Sequence, residues 1–513
     1  MYGKCCREIA REATPEALIP SFAKAPHSES MVTITRTGGA FPVLILRSWI
    51  LALILLLLVA IFPVQSRAAG ARQHDRKTAH APHQSVDKSD APQDASKADH
   101  TRMAGMQNGS DVMSMHPENF EQEIVHHATD GTSAQPDSTP APMLMTTRGA
   151  WSLMFHANVF LVDEQQTSSR GDDKFFSTNW LMPMAQRSLG PGVFTARVML
   201  SLEPATVTDR RYPLLFQQGE TAFGVPIVDG QHPHDFIMEL AALYDLKLGE
   251  KSLLSFYFAP TGDPAIGPAA FPHRASASEN PVATLGHHQE DSTHIASDVA
   301  TVGLTYGMAR IEASGFHGRE PDEFRWDIDS GKIDSWSMRL TLQPGKDWSG
   351  QYSYARITSP EALSPSEDQA RMTASIMYNR PLHDGNWAST ILWGRTNSLQ
   401  DHSIFNSYLL ESTWRFRTRN DVWTRIENVT RSNELLLGEQ PLPSNFQEEP
   451  IGRVQAYTFG YDHDFDLVPH LASALGAQFT AYGVADALKT IYGSHPLGVA
   501  IFVRLRPFAG MER

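Results

Sequence analysis

Cysteine is almost absent from this chain, and the position of the few cysteines matters more than their number. The 513 residues contain only Cys5 and Cys6, and both precede the one long hydrophobic run. If that run is a cleaved export signal, the mature chain keeps no cysteine. A disulfide framework is therefore excluded as the source of its stability.

A basic excess and further long apolar runs are also lacking. The formal net charge is −14 and the pI is about 5.8, so a nucleic-acid partner, which needs a basic face, is excluded. After Phe62 the sequence holds no apolar run long enough for a transmembrane helix. If this part of the chain crosses a membrane, it must do so as a closed β-barrel.

The hydrophobic run that is present, Ser48–Phe62, has the layout of a secretory signal. Arg36 and Arg47 precede it, and small-residue cleavage patterns follow it at positions 66–71. We interpret residues 1–71 as an N-terminal extension and a signal peptide. An uncleaved anchor helix is the alternative.

Residues 72–147 show no apolar periodicity and are rich in Ala, Pro, Asp, Ser, Gln and His. We predict a disordered linker in the periplasm. Methionine is unusually frequent in this polar tract, and thioethers with imidazoles favour Cu(I) and similar soft ions. The tract is therefore a candidate for capturing copper or silver, with a plain polar spacer as the alternative. Its candidate ligands are Met103, Met106, Met113, Met115 and His116.

The stretch Gln231–Pro260 shows the pattern that governs the rest of the chain. From Phe236 to Leu248 apolar residues take the even positions, whereas most odd positions are polar. A turn at 249–250 then leads into a second alternating run. Period-two alternation predicts a β-hairpin with one apolar face, in a transmembrane barrel or in a soluble sandwich.

Sixteen runs after residue 147 share this strand periodicity. They lie at 150–162, 175–187, 191–204, 234–248, 251–260, 296–307, 308–317, 333–343, 347–358, 369–380, 386–397, 404–417, 420–431, 452–465, 470–484 and 496–507. An even number of strands is typical of bacterial outer-membrane barrels.

The links between these strands decide between barrel and sandwich. Short links alternate with long ones, of which the longest are 205–233, 261–295, 318–332 and 432–451. An up-and-down barrel sorts its links this way, into short periplasmic turns and long outer loops, but a sandwich does not. We therefore predict an all-β fold, an antiparallel transmembrane β-barrel over residues 148–508. It would lie in the outer membrane with its N-terminal tail in the periplasm.

Imidazole and carboxylate groups concentrate on the second to fourth outer loops and the adjoining strand ends. Such ligands suit Zn(II), Cu(II) or Ni(II). Their spacing matches no tight zinc signature, so a plain polar rim is the alternative. The first choices as ligands are His234, His288, Asp291 and His294. The other candidates are His232, Asp235, His273, His287 and His317.

A second interpretation of these loops is that the third one, Thr261–Ile295, folds into the lumen and narrows it. Its histidines would then line a pore. The predicted lumen face carries charges of both signs, so it favours neither anions nor cations. The predicted pore-lining residues are Glu239, Asp245, Arg197, Arg339 and Arg425.

A hydrolase sited at the barrel rim is a minor alternative. His294 could act with Ser292, Asp291 or Asp235 as a catalytic pair. No nucleophile elbow of the G-x-S-x-G kind occurs in the sequence, so we expect that the chain is not an enzyme.

Several motifs resemble those of an uncharacterised family of bacterial outer-membrane barrels associated with heavy-metal efflux. The likeness covers residues 148–508 and is carried by GQHPHDF, FPHRASAS, GHHQEDSTHIASDV and FHGREPDE. The overall plan, with the tract MAGMQNGSDVMSMHP before a barrel, resembles outer-membrane copper-resistance proteins of the B type. The tract is sparser in Met-His repeats than is usual there. The resemblance implies copper, silver or zinc as the ion and efflux-system components as partners.

The sequence therefore predicts an outer-membrane barrel that handles copper or a related heavy-metal cation, by capture, passage or resistance. A general or solute-specific porin without metal chemistry is the alternative. Expected partners are outer-membrane lipid, a metal ion or small solute, and further copies of the chain in a homotrimer.

Overall fold

Sixteen long antiparallel strands follow one another in chain order and close into a barrel. The computed structural model describes residues 117–291 and 296–507. Each strand pairs with the next, and the last pairs with the first, where Val159 to Gln166 lie opposite Leu505 to Gly498. The predicted fold is confirmed: the chain forms an up-and-down β-barrel of the bacterial outer-membrane type.

The strands lie close to their predicted positions. They are β1 (Leu144–Arg148), β2 (Trp151–Gln166), β3 (Asp173–Leu189), β4 (Gly192–Leu200), β5 (Tyr212–Pro213), β6 (Glu220–Ala222), β7 (Val225–Ile227), β8 (Gly230–Gln231), β9 (Ile237–Gly249), β10 (Ser252–Gly262), β11 (Ala296–Tyr306), β12 (Ala309–His317), β13 (Ser335–Gly345), β14 (Trp348–Ile357), β15 (Gln369–Leu382), β16 (Gly385–Ser398), β17 (Ile404–Phe416), β18 (Asn420–Ser432), β19 (Pro450–Val468), β20 (Leu471–Gly483) and β21 (Leu497–Pro507).

Three features of this strand set were not predicted. The short β1 pairs with the first residues of β2, beside the β2–β21 closure. The pairs β5–β8 and β6–β7 form two small ribbons within one long link. The predicted strand 191–204 is too long, because β4 ends at Leu200 and a helical turn follows it.

The helices are short. They are α1 (Phe120–His126), α2 (Glu203–Thr206), α3 (His287–Glu290), α4 (Glu434–Leu437) and α5 (Lys489–Tyr492), with a 3₁₀ turn at Asp486–Leu488. Within the described ranges, none of these helices is long and apolar enough to cross a membrane.

Residue polarity alternates across the barrel wall as the period-two pattern predicts. Outward-facing side chains are large and apolar, such as Leu304 and Ile391, which are 51% and 62% exposed. Inward-facing side chains are mostly polar and buried, such as Glu239 and Arg339. An apolar outer band around a polar interior is what a bilayer-spanning barrel requires.

The links sort to the two ends of the barrel. At the end that we term the turn end, seven links of two or three residues join the strands, as at 250–251 and 346–347. The other eight links meet at the opposite end, the loop end, and the longest are 201–236, 263–295, 318–334 and 433–449. The predicted alternation of short and long links is confirmed.

The interior of the barrel is filled by two parts of the chain. Residues 263–291, the inner loop, contain no exposed residue, and residues 120–139, the inner segment, contain none after position 122. A sixteen-stranded wall alone leaves an aqueous channel. Here these two parts, together with buried residues of the link 201–236 such as Tyr212 and Phe216, pack against the inward side chains of the wall.

The prediction of a disordered linker up to residue 147 is wrong for its last part. Asn119 caps α1 by accepting a hydrogen bond from the Gln122 amide, and the chain then runs into the lumen. This tract has no apolar periodicity because it forms no core of its own. Barrel side chains satisfy its backbone groups instead. The prediction for residues 72–116 concerns residues outside the described ranges.

Replacing an outward side chain at mid-strand with arginine tests the membrane-spanning assignment. We expect Ile391→Arg to reduce the free energy of unfolding by about 2–4 kcal/mol, because an arginine at the bilayer midplane is poorly solvated. The control is Phe324→Arg, at an equally exposed position in the link 318–334. Equal losses in denaturant unfolding of bilayer-embedded protein would contradict the assignment.

Candidate functional site

Arg197 on β4 anchors the inner segment to the barrel wall. Its guanidinium pairs with Glu239 on β9, with Nε 2.6 Å from Oε2, and both side chains are almost fully buried. The same guanidinium donates hydrogen bonds to the backbone carbonyls of His127, Thr129 and Gly131. A buried arginine needs both a counter-charge and acceptors for its remaining N–H groups. The wall supplies the charge and the inner segment supplies the acceptors.

The inner loop is held by the same arrangement. Arg339 pairs with Glu312, with Nη2 2.9 Å from Oε2, and donates to the Gly267 carbonyl. Arg425 pairs with Glu411 at 3.0 Å and donates to the carbonyl of Val282. Wall arginines on opposite parts of the barrel therefore fix the loop at several points.

The inner loop also carries charges of its own. Arg274 pairs with Glu411 on the wall at 2.8 Å. Glu279 pairs with Arg504 at 2.9 Å. Glu279, Asp421 and Asp462 place carboxylate oxygens close enough to hold a metal ion, but the Arg504 guanidinium lies among them and supplies the positive charge.

The two inner parts contact each other as well as the wall. The Ala270 amide donates to the Asp130 carboxylate at 2.9 Å, and Gln135 exchanges hydrogen bonds with the backbone of His273 and Ala275. Gly131 has a φ of +51°, and a Cβ there would lie 2.6 Å from the Asp263 side chain. The inner segment and the inner loop therefore form one continuous filling.

All five predicted pore-lining side chains face the lumen, but none faces open water. Arg197, Glu239, Arg339 and Arg425 belong to the ion pairs described above. Asp245 accepts a hydrogen bond from His127 Nε2 at 2.7 Å. Of the two interpretations of the third loop, the one in which it folds into the lumen describes the structure better than the one in which it lies on the outer rim.

A compact cluster of possible metal ligands lies at the loop end. Glu220 on β6, His232 and His288 on α3 place one ligand atom each within 4.8 Å of one another. Glu220 Oε1 lies 3.0 Å from His232 Nε2 and 2.7 Å from His288 Nε2. Two imidazoles and a carboxylate form a common set of protein ligands for catalytic zinc, with a fourth position left for water or substrate.

Electrostatics keep this cluster charged. Burial opposes ionisation of Glu220, but the two imidazoles outweigh it and hold the pKa of this carboxyl well below its usual range. At His288, burial is outweighed by Glu220, so the pKa of the imidazole is raised. At His232 burial prevails and lowers the pKa. A cation bound here would take the place of the proton shared with Glu220.

A cavity of about 50 Å³ adjoins this cluster, and its mostly polar lining includes the carboxyl groups of Glu320, Glu361, Glu367 and Glu448. Burial, followed by repulsion from Glu320, raises the pKa of Glu361 to about 7. The pKa of Glu448 is raised well above its usual range by burial and by Glu361 and Glu434. Arg371 and Arg431 also line the cavity. Because raised pKa values leave these carboxyl groups partly neutral near pH 7, and the two arginines add positive charge, the lining does not by itself select cations over anions.

The structure does not bring the first-choice ligands together. The imidazole of His234 lies 2.9 Å from Glu203 Oε2. Asp291 pairs with Arg274 at 3.1 Å. His288 alone among the described first choices belongs to the Glu220 cluster, and His294 lies outside the described residues. His234 and Asp291 are instead paired with Glu203 and Arg274, so they do not join the Glu220 cluster.

Of the remaining candidates, His232 belongs to the Glu220 cluster, whereas the others supply no ligand to it. Asp235 pairs with Arg325 at 3.1 Å, and His287 Nε2 lies 2.9 Å from Gln231 Oε1. His317 lies near the loop end beside Asp334, away from the cluster. His273 lies deeper in the lumen. The tail ligands Met103, Met106, Met113, Met115 and His116 lie outside the described residues, and so does Ser292 of the hydrolase alternative.

A second group that was not predicted lies deeper, between β2, β3, β4 and β9. Six buried methionines pack together there, and His273 of the inner loop places its Nε2 3.4 Å from Met199 Sδ. The rings of His273 and Trp180 have centroids 4.3 Å apart. We term this group the methionine cluster. Its thioethers come from Met143, Met154, Met182, Met184, Met199 and Met238.

Sequence reasoning missed Glu220 and the methionine cluster for different reasons. Glu220 lies in a long link and meets His288 only through the fold, so no spacing could reveal it. Met182 and Met184 did carry a signal, because they are apolar residues on the inward phase of β3, where polar residues are expected.

Comparison with known proteins adds little beyond the barrel. No family profile matches the sequence, and no curated protein matches it. The structure is similar to an anion-selective porin from Comamonas acidovorans, with 10% identity and a TM-score of 0.43, covering 69% of this chain and 99% of that one. It is also similar to OmpF of Salmonella typhi, solved with daunomycin, with 9% identity and a TM-score of 0.42, covering 70% and 100%. The outer-membrane channel DcaP of Acinetobacter baumannii is similar with 9% identity and a TM-score of 0.40, covering 70% of this chain and 99% of that one. Likenesses of this size say nothing about what the chain does.

Removing one wall arginine tests how strongly the inner segment is anchored. We expect Arg197→Ala to lower the free energy of unfolding by about 3–5 kcal/mol, because it leaves Glu239 buried without its partner. The control is Arg356→Ala, since Arg356 is 55% exposed and pairs with Asp368 at 3.4 Å. An exposed pair of this kind contributes about 0–1 kcal/mol. Similar losses in the two variants, measured by denaturant unfolding, would contradict the anchoring role.

Proposed function

We propose that the protein is an outer-membrane channel for small polar solutes, closed at rest by its inner segment and inner loop. The observation that supports this most directly is the polar, charged lumen of a sixteen-stranded barrel, filled by chain rather than by wall side chains. Barrels of this size leave an aqueous passage when they are empty. Displacing the filling would therefore open a path.

The nature of the contacts supports a filling that can move. The inner loop joins the wall through apolar packing, as at Phe271 and Leu285, and through hydrogen bonds and ion pairs, such as those of Arg339 and Arg425. It is not strand-paired to the wall, and water can replace the polar contacts when the loop leaves. The loop is also anchored at both ends to adjacent strands, β10 and β11, so it can be displaced without unfolding the barrel.

A disulfide lock tests the proposal. Ser276 of the inner loop and Thr390 of β16 have hydroxyl oxygens 2.7 Å apart. In a chain carrying Cys5→Ser and Cys6→Ser, we introduce Ser276→Cys and Thr390→Cys and record conductance in planar bilayers. We expect the oxidised form to stay closed under voltage and the reduced form to open, because only the lock prevents loop displacement.

Two further variants make the result decisive. Ser276→Cys alone is the matched control, and its conductance should not respond to oxidant. Replacing residues 264–290 with a short glycine–serine linker should raise conductance by about tenfold or more, since an unfilled sixteen-stranded barrel is a water-filled channel. A native chain that conducts ohmically, with the same conductance in its oxidised locked form, would contradict the proposal.

A second candidate function is capture of a divalent cation at the loop end. The Glu220, His232 and His288 cluster supports it. In this proposal copper or zinc would be bound at the mouth of the lumen before passage or retention, as the expected heavy-metal role requires. The expected copper-binding tail, efflux partners and homotrimer stay predictions.

Calorimetric titration of the folded barrel with Zn(II) tests this second function. We expect His232→Ala or His288→Ala to weaken binding by about tenfold or more, because each removes one of three protein ligands. His317→Ala is the matched control, since His317 lies at the same end of the barrel but outside the cluster. Equal binding by all three variants and the parent would exclude the cluster as a cation site.

A further inference from the structure

The methionine cluster is built by strand register as well as by packing. Met154 on β2 lies directly opposite Met184 on β3, and His156 lies directly opposite Met182. Directly opposed residues place their Cβ atoms about 4.5–5.5 Å apart. Three methionines and one histidine of the wall are therefore neighbours on the lumen face of a single strand pair.

Two imidazoles meet at this point. His273 reaches the cluster from the inner loop, and its ring centroid lies 5.7 Å from that of His156. Trp180 packs against both rings, at centroid distances of 4.9 and 4.3 Å. The cluster thus combines soft sulfur atoms with aromatic nitrogen donors inside one buried volume.

Apolar packing explains the methionines but not the histidines. Methionine fills irregular gaps in cores, so six thioethers together need no ligand to account for them. An imidazole nitrogen in the same place is costly unless it has a partner. His156 is 6% exposed, and within the described ranges its Nε2 has no hydrogen-bond partner. His273 Nε2 has only the Met199 sulfur, a weak acceptor.

We propose that the methionine cluster is a binding site for a soft monovalent cation, Cu(I) or Ag(I). Met199 Sδ and His273 Nε2 would be the primary ligands, with His156 and Met182 completing the coordination. Thioethers select soft ions, and neutral imidazoles bind the same ions without adding charge. The buried surroundings would shield Cu(I) from water. This site goes beyond the proposed channel, because it can bind an ion whether or not the lumen opens.

The site differs chemically from the Glu220 cluster. A carboxylate with two imidazoles prefers harder divalent ions, whereas a thioether set does not. Because His273 belongs to the inner loop and Met199 to the wall, an ion bound between them would also link the loop to the barrel. An occupied site would therefore favour the closed lumen.

Silver binding to the full chain, folded in detergent, tests the proposal. Competing soft ligands outside the barrel are first removed by Cys5→Ser, Cys6→Ser, Met103→Leu, Met106→Leu, Met113→Leu, Met115→Leu and His116→Ala, because thiols and thioethers would also bind the probe. We expect this parent to bind one Ag(I) in calorimetric titration. X-ray absorption at the silver edge should show both sulfur and nitrogen neighbours.

Single replacements then assign the ligands. Met199→Leu conserves volume, and His273→Gln keeps a polar side chain of similar length. We expect each to weaken Ag(I) binding by about tenfold or more, as loss of a metal-site contact typically does. Met377→Leu is the matched control, because Met377 is equally buried on the lumen face of β15 but lies outside the cluster. It should bind as the parent does.

Folding is checked in every variant by heat-modifiable migration on gels. A folded parent that binds no Ag(I) would overturn the proposal, and so would Met199→Leu and His273→Gln variants that bind as tightly as the parent. Failure of the channel proposal is read separately, from the conductance of the locked and loop-replaced chains.

Discussion

The structure depends on arginine side chains that project from the barrel wall into its interior. Arg197, Arg339 and Arg425 each pair with a glutamate on a neighbouring strand and also donate to a backbone carbonyl of the filling. A buried charge must be paired, and a buried carbonyl must accept a hydrogen bond. The arginine side chain meets both needs. Without the filling the arginine would lack hydrogen-bond acceptors, and without the wall the carbonyls of the filling would lack donors.

This arrangement explains why the filling can lack regular structure. Between β10 and β11 the backbone hydrogen bonds within the loop are those of local turns, and other amides donate to wall side chains, as Ala265 does to Ser314 and Leu285 to Glu427. The filling is therefore specified by the wall. It also carries chemistry into the lumen, since His273 and His288 belong to it. Both candidate metal sites join a residue of the inner loop to residues outside it.

The barrel could be predicted from sequence, whereas the inner loop was foreseen only as one of two interpretations and the inner segment not at all. Alternation along β9 and β16 fixes which side chains face lipid, and the lengths of the links fix the up-and-down order. The tract before β1 has no periodicity, so its order depends on distant partners such as Arg197. The Glu220 cluster could not be predicted for the same reason, because its three possible ligands come from separate parts of two links. The methionines of β3 did break the inward polar pattern, and that departure marks the methionine cluster.

Hydrogen exchange of the backbone amides of residues 264–290 tests the central claim most directly. The account predicts that these amides, in the native full chain, exchange as slowly as those of the barrel strands, because wall side chains and the inner segment hold them inside the lumen. The mostly exposed residues 327–334 of the next long link serve as the reference for a free loop. Exchange of residues 264–290 as fast as that reference would contradict a filled lumen, and with it the closed channel.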